Sequence, residues 1–190
     1  MNRRSISLAL AGATLVPVAA LAQTGGNTAD SGRAPGPGAT PQANTPPANL
    51  ANARPEQLAM MTHQAGAFSL ATARIGVEKG SNAEVKRFAN FEVREQEGVA
   101  QAMKMAGHNF PEPQFGGEKF QVIQRLQSAS GAEFDRLFLQ VQEQGHQELL
   151  HLSTAIAASQ APVPVKIMGL LASDRLREHL IDIGALQGRR

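Results

Sequence analysis

The chain of 190 residues contains no cysteine, no tryptophan and no tyrosine. Without a thiol it can form no disulfide, zinc–thiolate site or cysteine-linked lipid anchor, and thiol redox chemistry is excluded; stability must come from packing. Without Trp or Tyr it lacks the usual platforms for stacking nucleic-acid bases. A charge excess is missing too. The formal net charge of +2 comes from Arg3 and Arg4, and beyond them basic and acidic residues number 16 each. That balance gives no reason to expect a nucleic-acid partner or an anionic membrane surface. The chain also has no Gly-rich phosphate loop beside a strand and no serine in a nucleophile elbow.

What is present begins with an address. Arg3 and Arg4 precede an Ala-, Leu- and Val-rich run from Ser5 to Leu21, and Ala20-Leu21-Ala22 offers small residues where a signal peptidase reads them. This is the pattern of a secretory signal peptide over residues 1–22, cleaved after Ala22. The run is short, Ala-rich and interrupted by Pro17, so no integral membrane segment is expected after processing. Arg3-Arg4 with Ile6 leaves the twin-arginine route open beside the general one. The expected location is the periplasm or the extracellular space. A linker is expected over residues 23–53, because Gln23 to Asn49 holds no Leu, Ile, Val, Phe or Met. Such a segment cannot bury enough apolar surface to offset its ordering entropy and reads as a disordered spacer.

Residues 54–187 carry helical periodicity throughout. Pro55 opens the first helix, Gly80 ends it, and Leu58, Met61, Ala65, Phe68, Thr72 and Ile75 form its inward face. Ser81 and Glu84 are spaced as a capping box for the second helix, which presents Val85, Phe88, Ala89, Val99, Ala100 and Met103 and stops at Gly107. A short helix spans about Glu118 to Gln127. Ser130 and Glu133 are spaced as another capping box, opening a third long helix with Phe134, Phe138, Val141, Leu149, Leu152 and Ile156 inward. After Pro162 and Pro164, a fourth carries Val165, Met168, Ala172, Leu176, Ile183 and Leu186. The expected fold is all-α: an antiparallel four-helix bundle with an extra short helix between the second and third long helices.

Lys79-Gly80-Ser81-Asn82, Val85-Lys86-Arg87-Phe88-Ala89, Phe134-Asp135-Arg136, His146 and His179 resemble the exported ferritin-like bacterial family catalogued as domain of unknown function 4142. The likeness covers roughly Leu58 to Leu186. It implies a ferritin-like bundle outside the cytoplasm and carries no established activity. The chain departs from the family pattern at Ser69, where a Glu is usual, at Glu95-Gln96, where an Asp-His pair is usual, and at Glu92, where an interior Met is usual.

A helical wheel places Glu92 and Gln96 in the middle of the second helix's apolar face and His179 in line with the fourth helix's stripe, with His146 on the flank of the third. Antiparallel packing brings these four to similar heights, so Glu92, Gln96, His146 and His179 are expected to form a buried polar centre. It is either a hydrogen-bond network that fixes helix register or a divalent-metal site made by Glu92, His146 and His179. Glu143 with His146 and Glu148 with His151 have Glu-x-x-His spacing, but both pairs lie on one helix. His63 and His151 fall off the core stripes, and His108 lies in the loop after Gly107. Met61, Met103 and Met168 read as core filler, and Asp135 as a first-turn carboxylate favouring its own helix dipole. The expected function is a non-enzymatic exported bundle with no cofactor, in contact with an envelope component or acting in stress tolerance. The alternative is a ferritin-like metal-binding or oxidase protein with a reduced ligand set. Deleting Gln23 to Asn49 should leave the thermal midpoint of the folded part nearly unchanged in a calorimetric scan, since the segment has no core residues to contribute.

Overall fold

Five helices and no strand make up the described residues, which in this computed structural model are 49, 50 and 52–188. The expected signal peptide and most of the expected linker lie outside them. Packing begins earlier than the expected boundary at Arg54: Leu50 is buried in a cluster with Leu58, Leu149 and Leu152, and its carbonyl accepts from the Ala53 amide.

Helix α1 (Pro55–Lys79) starts on its proline, where a missing N–H costs nothing, and ends at Gly80. Helix α2 (Ala83–Met105) is capped by Asn82, whose side chain accepts from the Glu84 amide at 2.8 Å. The Ser81–Glu84 capping box is therefore not formed. Ser81 is engaged elsewhere: its amide donates to Asp135 Oδ1 at 2.9 Å and its hydroxyl to Asp135 Oδ2, while the Asn82 amide donates to the same oxygen at 2.9 Å. A buried carboxylate binding three donors outcompetes a neutral local cap. Asp135 consequently serves the N-terminus of α2 rather than that of its own helix.

Helix α3 (Gly117–Ser128) lies against α1 and α4 and buries Leu126. Helix α4 (Gly131–Ala158) begins after Ser130, whose side chain makes no cap bond, so the second expected box is absent as well. Ser130 is extended (φ −151°, ψ 163°) as a cap should be, and Gly131 follows at φ +59°, a left-handed step inside the first turn. Helix α5 (Val163–Leu186) takes both Pro162 and Pro164 into its start, the former as cap and the latter in the first turn.

The long helices form two antiparallel hairpins. In the first, Gly76 of α1 approaches Ala89, Ser69 meets Glu92 and Gly66 meets Gln96, so height along α1 falls as residue number in α2 rises. In the second, Gly169 of α5 lies against Ser153 and Ala157 of α4, and His179 meets His146. The hairpins dock through α1 against α4 and through side chains between α2 and α5. The long connection from residue 106 to residue 130 carries α3.

Two apolar clusters fill the interior. One gathers Phe68, Val85, Phe88, Leu126, Phe134, Phe138 and Ile183, and the other Leu50, Leu58, Ala65, Leu149, Leu152 and Leu176. The inward faces follow the expected stripes, with three exceptions. Met61 is 37% exposed, Met168 58% and Val99 38%. For Met168 the reason is visible on α5. A Cβ on Gly169 would stand 2.8 Å from the Ser153 carbonyl oxygen, so α5 turns its small residues Gly169 and Ser173 toward α4 and carries Met168 outward. Phe138 is fully buried, and its ring edge leaves no room for a Cβ on Gly76, which would come within 2.6 Å. Phe138→Ala should lower stability by about 3–5 kcal/mol in urea unfolding, through lost burial and the cavity left behind.

Candidate functional site

Between the two apolar clusters runs a polar layer. Glu92 of α2, His146 of α4 and His179 of α5 meet there, all buried. Glu92 Oε1 lies 2.7 Å from His179 Nδ1 and 3.2 Å from His146 Nε2, and the two ring nitrogens are 3.1 Å apart. Three helices thus aim one atom each at a common point. They reach it because Glu92 and His179 follow Phe88 and precede Ile183 by one turn on their inward faces, and because His146 follows Gln142 on α4.

The outer side of each group is also held. His146 Nδ1 is 2.7 Å from the Gln142 carbonyl oxygen; a carbonyl only accepts, so this nitrogen carries a proton. His179 Nε2 faces Glu95 Oε2 at 3.5 Å, and Arg175 Nε donates to that same oxygen at 3.1 Å. A carboxylate beside Nε2 favours the proton there. With the outer nitrogens so assigned, the inner ones present lone pairs to Glu92 Oε1, and three acceptors converge within 3.2 Å. Such a cluster holds together only around positive charge, supplied by an added proton on an imidazole or by a cation. The second carboxylate oxygen, Glu92 Oε2, is 3.3 Å from the Ser69 hydroxyl, which is also 3.3 Å from Gln142 Oε1. Gln142 Nε2 then donates to Thr72 Oγ1 at 2.9 Å. Among the described residues no buried side-chain polar atom lacks a partner.

A family model described as Domain of unknown function (DUF4142) matches residues 39–186. The chain belongs to this family. No curated protein and no solved structure matches it. The DUF4142 match spans all five helices, so the polar layer lies within it.

Of the four residues expected in the polar centre of this DUF4142 chain, the structure joins Glu92, His146 and His179. Gln96 is buried but apart: it lies one turn along α2, with Oε1 against the backbone of Gly66. Residue spacing puts Thr72 on the inward face of α1 without a polar partner, and gives no role to Gln142 or Arg175. Gln142 was findable, since it precedes His146 by one turn on the same face. Arg175 was not, because its partner Glu95 is on another helix. His63 is half-buried and bonds the Pro111 carbonyl at 3.2 Å, and His108 stacks on Phe110. His151 is exposed, as its place off the stripe suggests.

Electrostatics follow from this packing. Burial pushes the Glu92 carboxyl up, but the hydrogen bonds and charges of His146 and His179 more than reverse it and hold it at about 2. For His146 burial works downward, and the bond to Glu92 with its charge prevails and raises it above its usual value. The signs give opposite slopes. The Glu92 contribution is complete above its unfolded value of 4.5 and is lost as pH falls toward 2; the His146 contribution is complete below 6.5 and is lost as pH rises through its folded value. In the presence of a chelator, the stability gap between wild type and Glu92→Gln should therefore be widest between pH 4.5 and 6.5. It should narrow on either side, as read from urea midpoints across pH.

Proposed function

We propose that this protein is an exported, ferritin-like four-helix bundle that holds one divalent transition-metal ion between Glu92, His146 and His179. The observation that carries the proposal is the convergence of three acceptor atoms, with outer partners that set the two imidazole tautomers so that their lone pairs face the Glu92 carboxylate. Two imidazoles and one carboxylate are the donors such ions take, and the set matches the facial arrangement that leaves further positions open. Neighbouring positions on a six-coordinate ion with bonds of about 2.1 Å stand about 3 Å apart. The distances of 2.7, 3.1 and 3.2 Å fit that spacing with little adjustment. The outer contacts, a carbonyl on His146 and a carboxylate on His179, are those that orient ligating histidines. Two antiparallel hairpins joined by a long connection support the ferritin-like arrangement. Export is supported by the pattern of residues 1–22. The geometry favours this metal-binding function over a bundle without any cofactor.

The test is metal analysis of protein purified without a polyhistidine tag, stripped and then exposed in turn to Mn²⁺, Fe²⁺, Co²⁺ and Zn²⁺. One of these should be taken up at one ion per chain. It should raise the thermal midpoint as its concentration grows, with a stabilisation of about 2.7 kcal/mol at a hundredfold excess over Kd. His146→Leu and His179→Leu should each abolish uptake and the gain. Sub-stoichiometric uptake of all four ions, with no change in midpoint, would reduce the polar layer to a device that fixes helix register.

A further inference from the structure

A small cavity of about 90 Å³ opens between α1 and the C-terminal half of α2, lined by Gly66, Gln96, His63 and Phe110 among others. It has room for a molecule of a few heavy atoms. At its inner end is the Gln96 amide. That side chain is only 6% exposed, and it makes no hydrogen bond with any described residue. Every fully buried side-chain polar atom among the described residues has a partner, so the unbonded Gln96 amide is reached from the cavity, where a ligand can bond it. Gly66 creates the space: a Cβ there would lie 2.9 Å from Gln96 Oε1. On the outer side, Phe110 sits between the rings of His63 and His108, at centroid distances of 5.3 Å to each, and the His63–Pro111 bond ties this loop to α1.

Glu92, His146 and His179 do not line the cavity; Gln96 and Gly66 are the lining residues that link it to the polar layer. Gln96 follows Glu92 by four residues, about 6 Å along the helix. Gly66 precedes Ser69 by three, and the Ser69 hydroxyl contacts Glu92. On the opposite side the Phe88 ring closes the centre, 5.9 Å from both imidazoles. The α1 side is therefore the side with short side chains, an unengaged amide and open volume.

We infer that this cavity admits a small hydrogen-bonding exogenous ligand, which binds the Gln96 amide and approaches the Glu92–His146–His179 centre from the α1 side. The inference rests on the metal reading above and deepens it: the ion is held for contact with a small polar molecule rather than sealed in as a structural clasp. Gln96 and Gly66 determine access, while the three convergent residues hold the ion. An amide both donates and accepts, so the ligand class is a compact polar molecule or anion of two to four heavy atoms.

The experiment uses azide and the Co²⁺-loaded full-length mature protein, followed through the visible absorption of Co²⁺. Wild type should show a saturable spectral change. Gln96→Leu and Gly66→Ala, each checked for helicity by circular dichroism, should still bind one Co²⁺ per chain but weaken azide by about tenfold, the loss expected of one hydrogen bond in a closed site. Two variants acting by different means guard against one failing to fold. Stoichiometric Co²⁺ with no azide response would overturn this inference and leave the metal reading standing. An equal azide response in wild type and both variants would also overturn it, since the ligand would then arrive by another route. Failure to take up Co²⁺ would remove this site, and failure of Mn²⁺, Fe²⁺ and Zn²⁺ as well would remove the metal reading with it.

Discussion

A carboxylate with no exposure to water must find its counter-charge inside the protein, and Glu92 is such a group. Taking it out of water costs several kcal/mol that no apolar contact returns. The compensation comes from His146 and His179, which belong to the other hairpin. Docking of the two hairpins and neutralisation of Glu92 are therefore one event. Around it the layer is closed by Ser69, Gln142 and Thr72, which satisfy the remaining oxygen and one another. The apolar clusters on both sides supply the burial, and the polar layer supplies the register.

A second carboxylate makes a similar tie at the end of the bundle. Asp135 crosses from α4 to bind the amides of Ser81 and Asn82 where α1 turns into α2. Here the compensation is backbone amides at a helix N-terminus instead of imidazoles. The hairpins are thus joined by two acidic groups, one from each hairpin, each reaching into the other.

Much of this was legible in residue spacing. Pro55 marks a helix start by its fixed φ, and a period of 3.6 placed Glu92 and His179 inward without any knowledge of their partners. The same arithmetic placed Gln96 inward but could not tell that its amide packs beside Gly66, on another helix, instead of joining the centre. The capping boxes failed for a related reason. Local spacing suggested that Ser81 would bond within its own turn, yet Asp135, fifty-four residues away, makes the stronger bond. Met168 was placed inward because apolar spacing does not reveal how closely two helices approach. Gly169 sets that distance for α4 and α5, and a glycine on a wheel looks like nothing at all. Asn49 and Leu50 lay at the edge of a polar tract, and a single Leu there carries no periodicity to read.

The long connection between α2 and α4 also divides assembly in time. Each hairpin closes through a turn of a few residues, so its contacts are local and its loop-closure entropy is small. Glu92 and His146 are separated by 54 positions, and their meeting waits until both hairpins exist. In that meeting a charged side chain sheds its water while its partners arrive across a closing gap. A cation present at that moment would neutralise the carboxylate before the imidazoles are in place. On the metal-binding proposal, ion supply would then bear on how the two halves close, as well as how firmly they remain closed.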